Sequence, residues 1–121
     1  MQKKIFLIAS VLGVFAVFFG AFGAHALDLE DNAKDIYKTA SFYHFQSVFL
    51  IFIIALLENF LKSKYYKMAF YSSFFGVIIF SGSLYLLSIT NIKWFGAITP
   101  IGGFLLAFSF VSLYLGFKLK S

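Results

Sequence analysis

Cysteine is absent from this 121-residue chain, proline occurs once, and only 12% of the residues are charged. The missing cysteines exclude disulfide exchange, thiolate catalysis and every cysteine-ligated metal or iron–sulfur site. Ten basic residues against five acidic ones leave a formal charge of +5, but all ten are Lys and they sit at the ends of apolar runs. Lysines so placed snorkel toward headgroups and set orientation, so the charge implies no nucleic acid partner. No nucleophile–base pair, phosphate-binding loop or zinc motif occurs. An enzyme reading therefore has no anchor, and no cofactor is expected.

What fills the chain is hydrocarbon: 61% of residues are hydrophobic, 19 of them Phe. They fall in four runs, over about 5–27, 40–60, 68–90 and 95–117. A bilayer core needs about 20 helical residues, and each run reaches that. In lipid the backbone must satisfy its own hydrogen bonds, so the runs are expected as helices. The expected fold is all-α, a single transmembrane domain over 1–121 built as a four-helix bundle. Short second and third connections imply up-down-up-down topology. Seven lysines (Lys3, Lys4, Lys62, Lys64, Lys67, Lys118 and Lys120) lie on the side of the termini, and three (Lys34, Lys38 and Lys93) on the other. Both termini are accordingly expected to face the cytoplasm, in a multi-pass protein whose main partner is the lipid bilayer.

Lys3, Lys4, the first apolar run and Ala24-His25-Ala26 also mimic a secretory signal. The run is longer than the usual signal core and carries a packing stripe that a signal does not need. Its retention as the first helix is the expectation. That stripe comprises Ala9, Gly13, Ala16, Gly20 and then Gly23 or Ala24, one helical face of small residues of the kind that lets helices approach closely in lipid. It marks the first helix as the packed centre of the bundle. Gly76 lies on a weaker stripe in the third run, with Ala69, Ser73 and Ser83. The second run has almost no small residues between positions 48 and 57, which suggests a peripheral, lipid-facing helix. Gly102, Gly103 and Ala107 would let the fourth helix approach another, and the glycine-rich faces of the first and fourth are expected to meet. Thr99-Pro100 fits a helix start, with Thr99 as N-cap and an irregular segment before it; the alternative is a kinked helix from Phe95. Residues 28–39 read as a connection, with Leu29, Ile36 and Tyr37 able to anchor a short surface helix.

Few residues can carry chemistry. His25 and His44 are placed near the outer face, where imidazoles can ligate a metal, pass protons or simply bond water and helix ends. Glu58 is the one carboxylate inside an apolar run, but Lys62 stands four residues on as an ion-pair partner. Thr99, Gly102 and Gly103 would offer free N–H groups at a helix start. Together with Tyr43, Ser81 and Ser83, these histidines form the candidate polar cluster near the outer end.

Three blocks carry a family resemblance: Gly20-Ala21-Phe22-Gly23-Ala24-His25-Ala26-Leu27, Phe80-Ser81-Gly82-Ser83-Leu84-Tyr85 and Gly96-Ala97-Ile98-Thr99-Pro100-Ile101-Gly102-Gly103. They resemble the signature blocks of the domain of unknown function 423 family, in order and spacing. The resemblance implies a four-helix protein of the bacterial inner membrane with the first helix uncleaved, and it brings no established activity. The chain departs from the family pattern at the second helix, where His44 stands in place of Gln and Ser47 in place of His. The resulting expectation is a structural or accessory membrane component, with a membrane protein partner or a second copy of the chain as company. The rival is a small transporter or channel for a polar solute or lipid.

Overall fold

A computed structural model describes residues 2–25, 29–60 and 63–119, apart from the side chains of residues 24 and 25. Four helices account for nearly all of it: α1 (Gln2–His25), α2 (Asp31–Phe60), α3 (Lys64–Thr90) and α4 (Trp94–Lys118), with no strand among the described residues. Each is long and apolar enough to cross a membrane. Both ends of the described chain and the α2–α3 connection share one end of the bundle, called proximal here. The other two connections lie at the distal end.

Contacts pair neighbours in the chain. α1 packs on α2, α2 on α3, and α3 on α4, the last being the most extensive pair. Side-chain register confirms that each pair is antiparallel. Gly23 lies against Tyr37, Gly20 near Ser41 and Phe45, and Gly13 beside Val48. Gln2 donates to the Ala55 carbonyl at 3.0 Å at the proximal end. Along α3 and α4, Ser83 meets Thr99, Gly76 meets Leu106, and Tyr66 meets Gly116. The apolar core sits in the proximal half, where Ile5 and Ala9 meet Leu50, Ile51, Ile54, Ala55, Ala69 and Phe70.

This order corrects the expected roles of the helices. α2 is central, not peripheral, because its bulky side chains fill the notches left by small residues on its neighbours. Its buried residues include Val48, Leu50, Ile51 and Ile54. α1 lies at the edge: its small stripe does face protein, with Ala9 and Ala16 fully buried, but its partner is α2 rather than α4. The closest approach is instead between α3 and α4. A Cβ on Gly102 would stand 2.4 Å from the Phe80 nitrogen, and one on Gly76 would stand 2.9 Å from the Leu106 nitrogen. Ser109, Ser112 and Gly116 extend that seam toward the proximal end, all buried. Ala107 is on the opposite, exposed face of α4 and takes no part in it.

Two helix starts also differ from expectation. α2 begins at Asp31, so Ile36 and Tyr37 belong to it and not to a separate surface helix. Asp31 in the first turn complements the positive end of the helix dipole, and Tyr37 seated on Gly23 fastens the extension to α1. α4 begins at Trp94 and carries Pro100 inside it, so Thr99 is not a cap. Its first turn is tightened by Phe95 and Gly96 N–H groups bonding the Ile92 and Lys93 carbonyls. Pro100 removes one bond, to the carbonyl of Gly96, one turn back. Running the helix from Trp94 saves the several backbone bonds that an irregular segment would expose near lipid.

Candidate functional site

One set of buried polar groups gathers where α1, α2 and α3 meet. Because α2 starts at Asp31, His44 stands 13 residues into a 30-residue helix, about 20 Å from its distal end at 1.5 Å per residue. It is therefore in the interior of the bundle rather than at its distal tip. The side chain is buried, and both ring nitrogens are engaged. Nε2 lies 2.9 Å from the Leu12 carbonyl, which can only accept, so Nε2 carries the proton. Nδ1 of the neutral ring then accepts from the Tyr85 hydroxyl at 2.9 Å. One imidazole thus ties α2 to α1 through a backbone carbonyl and to α3 through a phenol.

Aromatic rings close around this link. Tyr85 meets Phe19 edge-on at 5.3 Å between centroids and Tyr37 at 5.0 Å. The Tyr37 hydroxyl donates to the Phe19 carbonyl, a third α1–α2 bond. Ser81, one turn before Tyr85, donates to the Ala40 carbonyl at 2.8 Å. Beside the cluster, α1 and α3 diverge over the face of α2 and leave a cleft of about 300 Å³ lined chiefly by Leu12, Phe15, Phe19, Val77 and Ile78, with His44, Ser81 and Tyr85 at its base.

The family model that matches is described as a protein of unknown function (DUF423) and covers residues 19–103, from the last two turns of α1 into α4. The chain belongs to this family. It is 36% identical over 115 residues to the UPF0382 membrane protein YwdK of Bacillus subtilis, covering 93% of this chain and 94% of that one. A UPF0382 membrane protein of Haemophilus influenzae is 35% identical over 127 positions, covering 100% and 99% of the two chains. The UPF0382 inner membrane protein YgdD of Escherichia coli is 30% identical over 107, covering 85% and 81%. No solved structure matches. The relatives and the four apolar helices together make this a membrane protein.

The residues singled out from the sequence occupy three separate places in this family member. His44 and Ser81 share the α1–α2–α3 cluster. Ser83 hydrogen-bonds Thr99 across the α3–α4 seam, and also donates to the Phe80 carbonyl at 3.0 Å. Tyr43 stacks edge-on against Phe80 at 4.7 Å, whose ring also lies beside Gly103. Gly102 is buried in the seam. With α4 helical through Ile98, the N–H groups of Gly102 and Gly103 are spent inside the helix, so no free N-terminal donors exist there. His25 closes α1 at the distal end, and its side chain lies outside the described residues. Lys62, the expected partner of Glu58, lies outside them too; among the described residues Glu58 Oε2 is buried without a hydrogen-bond partner. Tyr85 is the member of the cluster that sequence reasoning missed. A tyrosine well inside an apolar run, rather than in an interfacial belt, was the signal available.

Proposed function

We propose that this protein is a structural or accessory component of the cytoplasmic membrane, without catalytic chemistry of its own. The observation that carries the reading is where the intramembrane polar side chains point. Tyr37, His44, Ser72 and Ser81 each donate to a backbone carbonyl of a neighbouring helix (Phe19, Leu12, Leu105 and Ala40). Side chains whose donors are taken up by neighbouring helices leave a polar solute no free donor among them. Ser83 with Thr99 and His44 with Tyr85 complete the stitching. With Nε2 donating and Nδ1 accepting, His44 has no lone pair left for a metal or haem. The lysine bias argues for both termini in the cytoplasm, and the Escherichia coli relative's name supports the inner membrane as the location. The exposed apolar faces of α1 and α4 are then available to lipid or to a partner in the membrane.

The rival transporter reading draws on the same histidine, which is the side chain best suited to carry protons. Reconstitution into liposomes loaded with a pH-sensitive dye separates the two. The accessory reading expects a proton leak equal to that of protein-free liposomes. A leak present with the wild-type chain and abolished by His44→Phe would favour transport.

A further inference from the structure

Gly82 is the glycine whose place in the bundle packing does not explain. A Cβ there would meet nothing within 4 Å, whereas those on Gly23, Gly76, Gly102 and Gly116 would collide with a neighbour. Glycine within a helix costs about 1 kcal/mol against alanine, and it is used where something approaches the backbone closely. Gly82 borders the cleft between α1 and α3. The helices cannot close that cleft, because His44 holds α1 and α3 to α2 at fixed distances through Leu12 and Tyr85. Phe19 and Tyr85 in edge contact shut its distal end. The side remains open: Phe15 and Ile78 on the rim are about half exposed.

We propose that this cleft seats one hydrocarbon chain of a membrane lipid, lying against the bare backbone at Gly82 between Phe15 and Ile78. Its chemistry selects that occupant. The polar atoms at the base are already paired, His44 with Leu12 and Tyr85, and Ser81 with Ala40, so a polar ligand would find no open partner. Apolar cavities of about 150 Å³ stay dry and take up hydrocarbon, and this one measures about 300 Å³. An empty cleft would forfeit the dispersion contacts of its lining, and these contacts take the place of hydrophobic drive in lipid. The inference is independent of the accessory role and stands or falls without it.

The full chain in phosphatidylcholine nanodiscs doped with a phosphatidylcholine bearing a mid-chain diazirine tests this by photolabelling and peptide mass spectrometry. Labelling of Phe15 and Ile78 should exceed that of Phe104 and Phe110, lipid-facing residues on α4. Gly82→Leu, whose Cβ meets nothing within 4 Å and whose branched end occupies the cleft, should abolish the excess without lowering thermal stability. Should that variant misfold, Phe15→Trp fills the cleft from α1, and loss of the excess at Ile78 is read instead. Equal labelling of all lipid-facing residues would overturn the proposal, as would an excess that survives filling. A cross-link from the cleft to a second copy of the chain would assign the surface to self-association and overturn it equally.

Discussion

His44 shows how a side chain that invites a functional reading can be accounted for by structure. An unpaired imidazole in hydrocarbon would carry the full desolvation cost of two polar nitrogens, and here both are satisfied by other helices. Interhelical hydrogen bonds in membranes average about 0.6 kcal/mol and reach about 1.7. His44→Phe removes two of them, so a loss of about 1–3 kcal/mol is expected in reversible unfolding from mixed micelles. Tyr85→Phe removes one of the two and should cost less. A double-mutant cycle on the pair should give a coupling near the single-bond value, and zero coupling would mean that the contact contributes nothing. The sequence makes His44 conspicuous but not its burial between α1 and α3, which depends on how the helices pack. The polar stretch at 31–39 reads as a loop because its helicity comes from tertiary contact, chiefly Tyr37 on Gly23, and from helix ends that project beyond the hydrocarbon.

Among the helices, the α3–α4 seam is where close backbone approach governs stability. Gly102→Ala places a methyl against the Phe80 backbone, which cannot rotate away as a side chain can. Overpacking of this kind costs about 1–3 kcal/mol, and a fall of that size in unfolding free energy is expected. Gly103→Ala one residue on meets only the Phe80 ring at 3.6 Å, ordinary contact, and should be neutral or gain up to about 1 kcal/mol from helix propensity. Equal effects of the two would mean that α3 and α4 do not pack in this register. Gly20→Leu should pry α1 from α2 while leaving α2, α3 and α4 joined, because α1 has its one extensive contact with α2. Hydrogen exchange localised to α1 would report it. Four spans and the small-residue stripes were legible because length and residue size act locally. Which stripe meets which helix was not. In lipid every face of a helix is apolar, so hydropathy cannot say which side is inward, and α2 hides its central position by packing with large side chains.

For the molecule as a whole, four helices in sequential contact make a compact unit with broad apolar faces on its flanking helices. Phe18 on α1 and Phe104 on α4 are among the most exposed, at 66% and 78%. Such faces suit lipid or a membrane partner, and Tyr37, His44, Ser72 and Ser81 are turned inward as stitching. The accessory role is tested most directly by extracting the tagged chain in native polymer nanodiscs and weighing intact complexes by mass spectrometry. The account predicts a second membrane protein at fixed stoichiometry, released when an exposed face of α1 or α4 is recharged with lysine. A chain that emerges only as a monomer or homodimer, with no other protein bound, would contradict it.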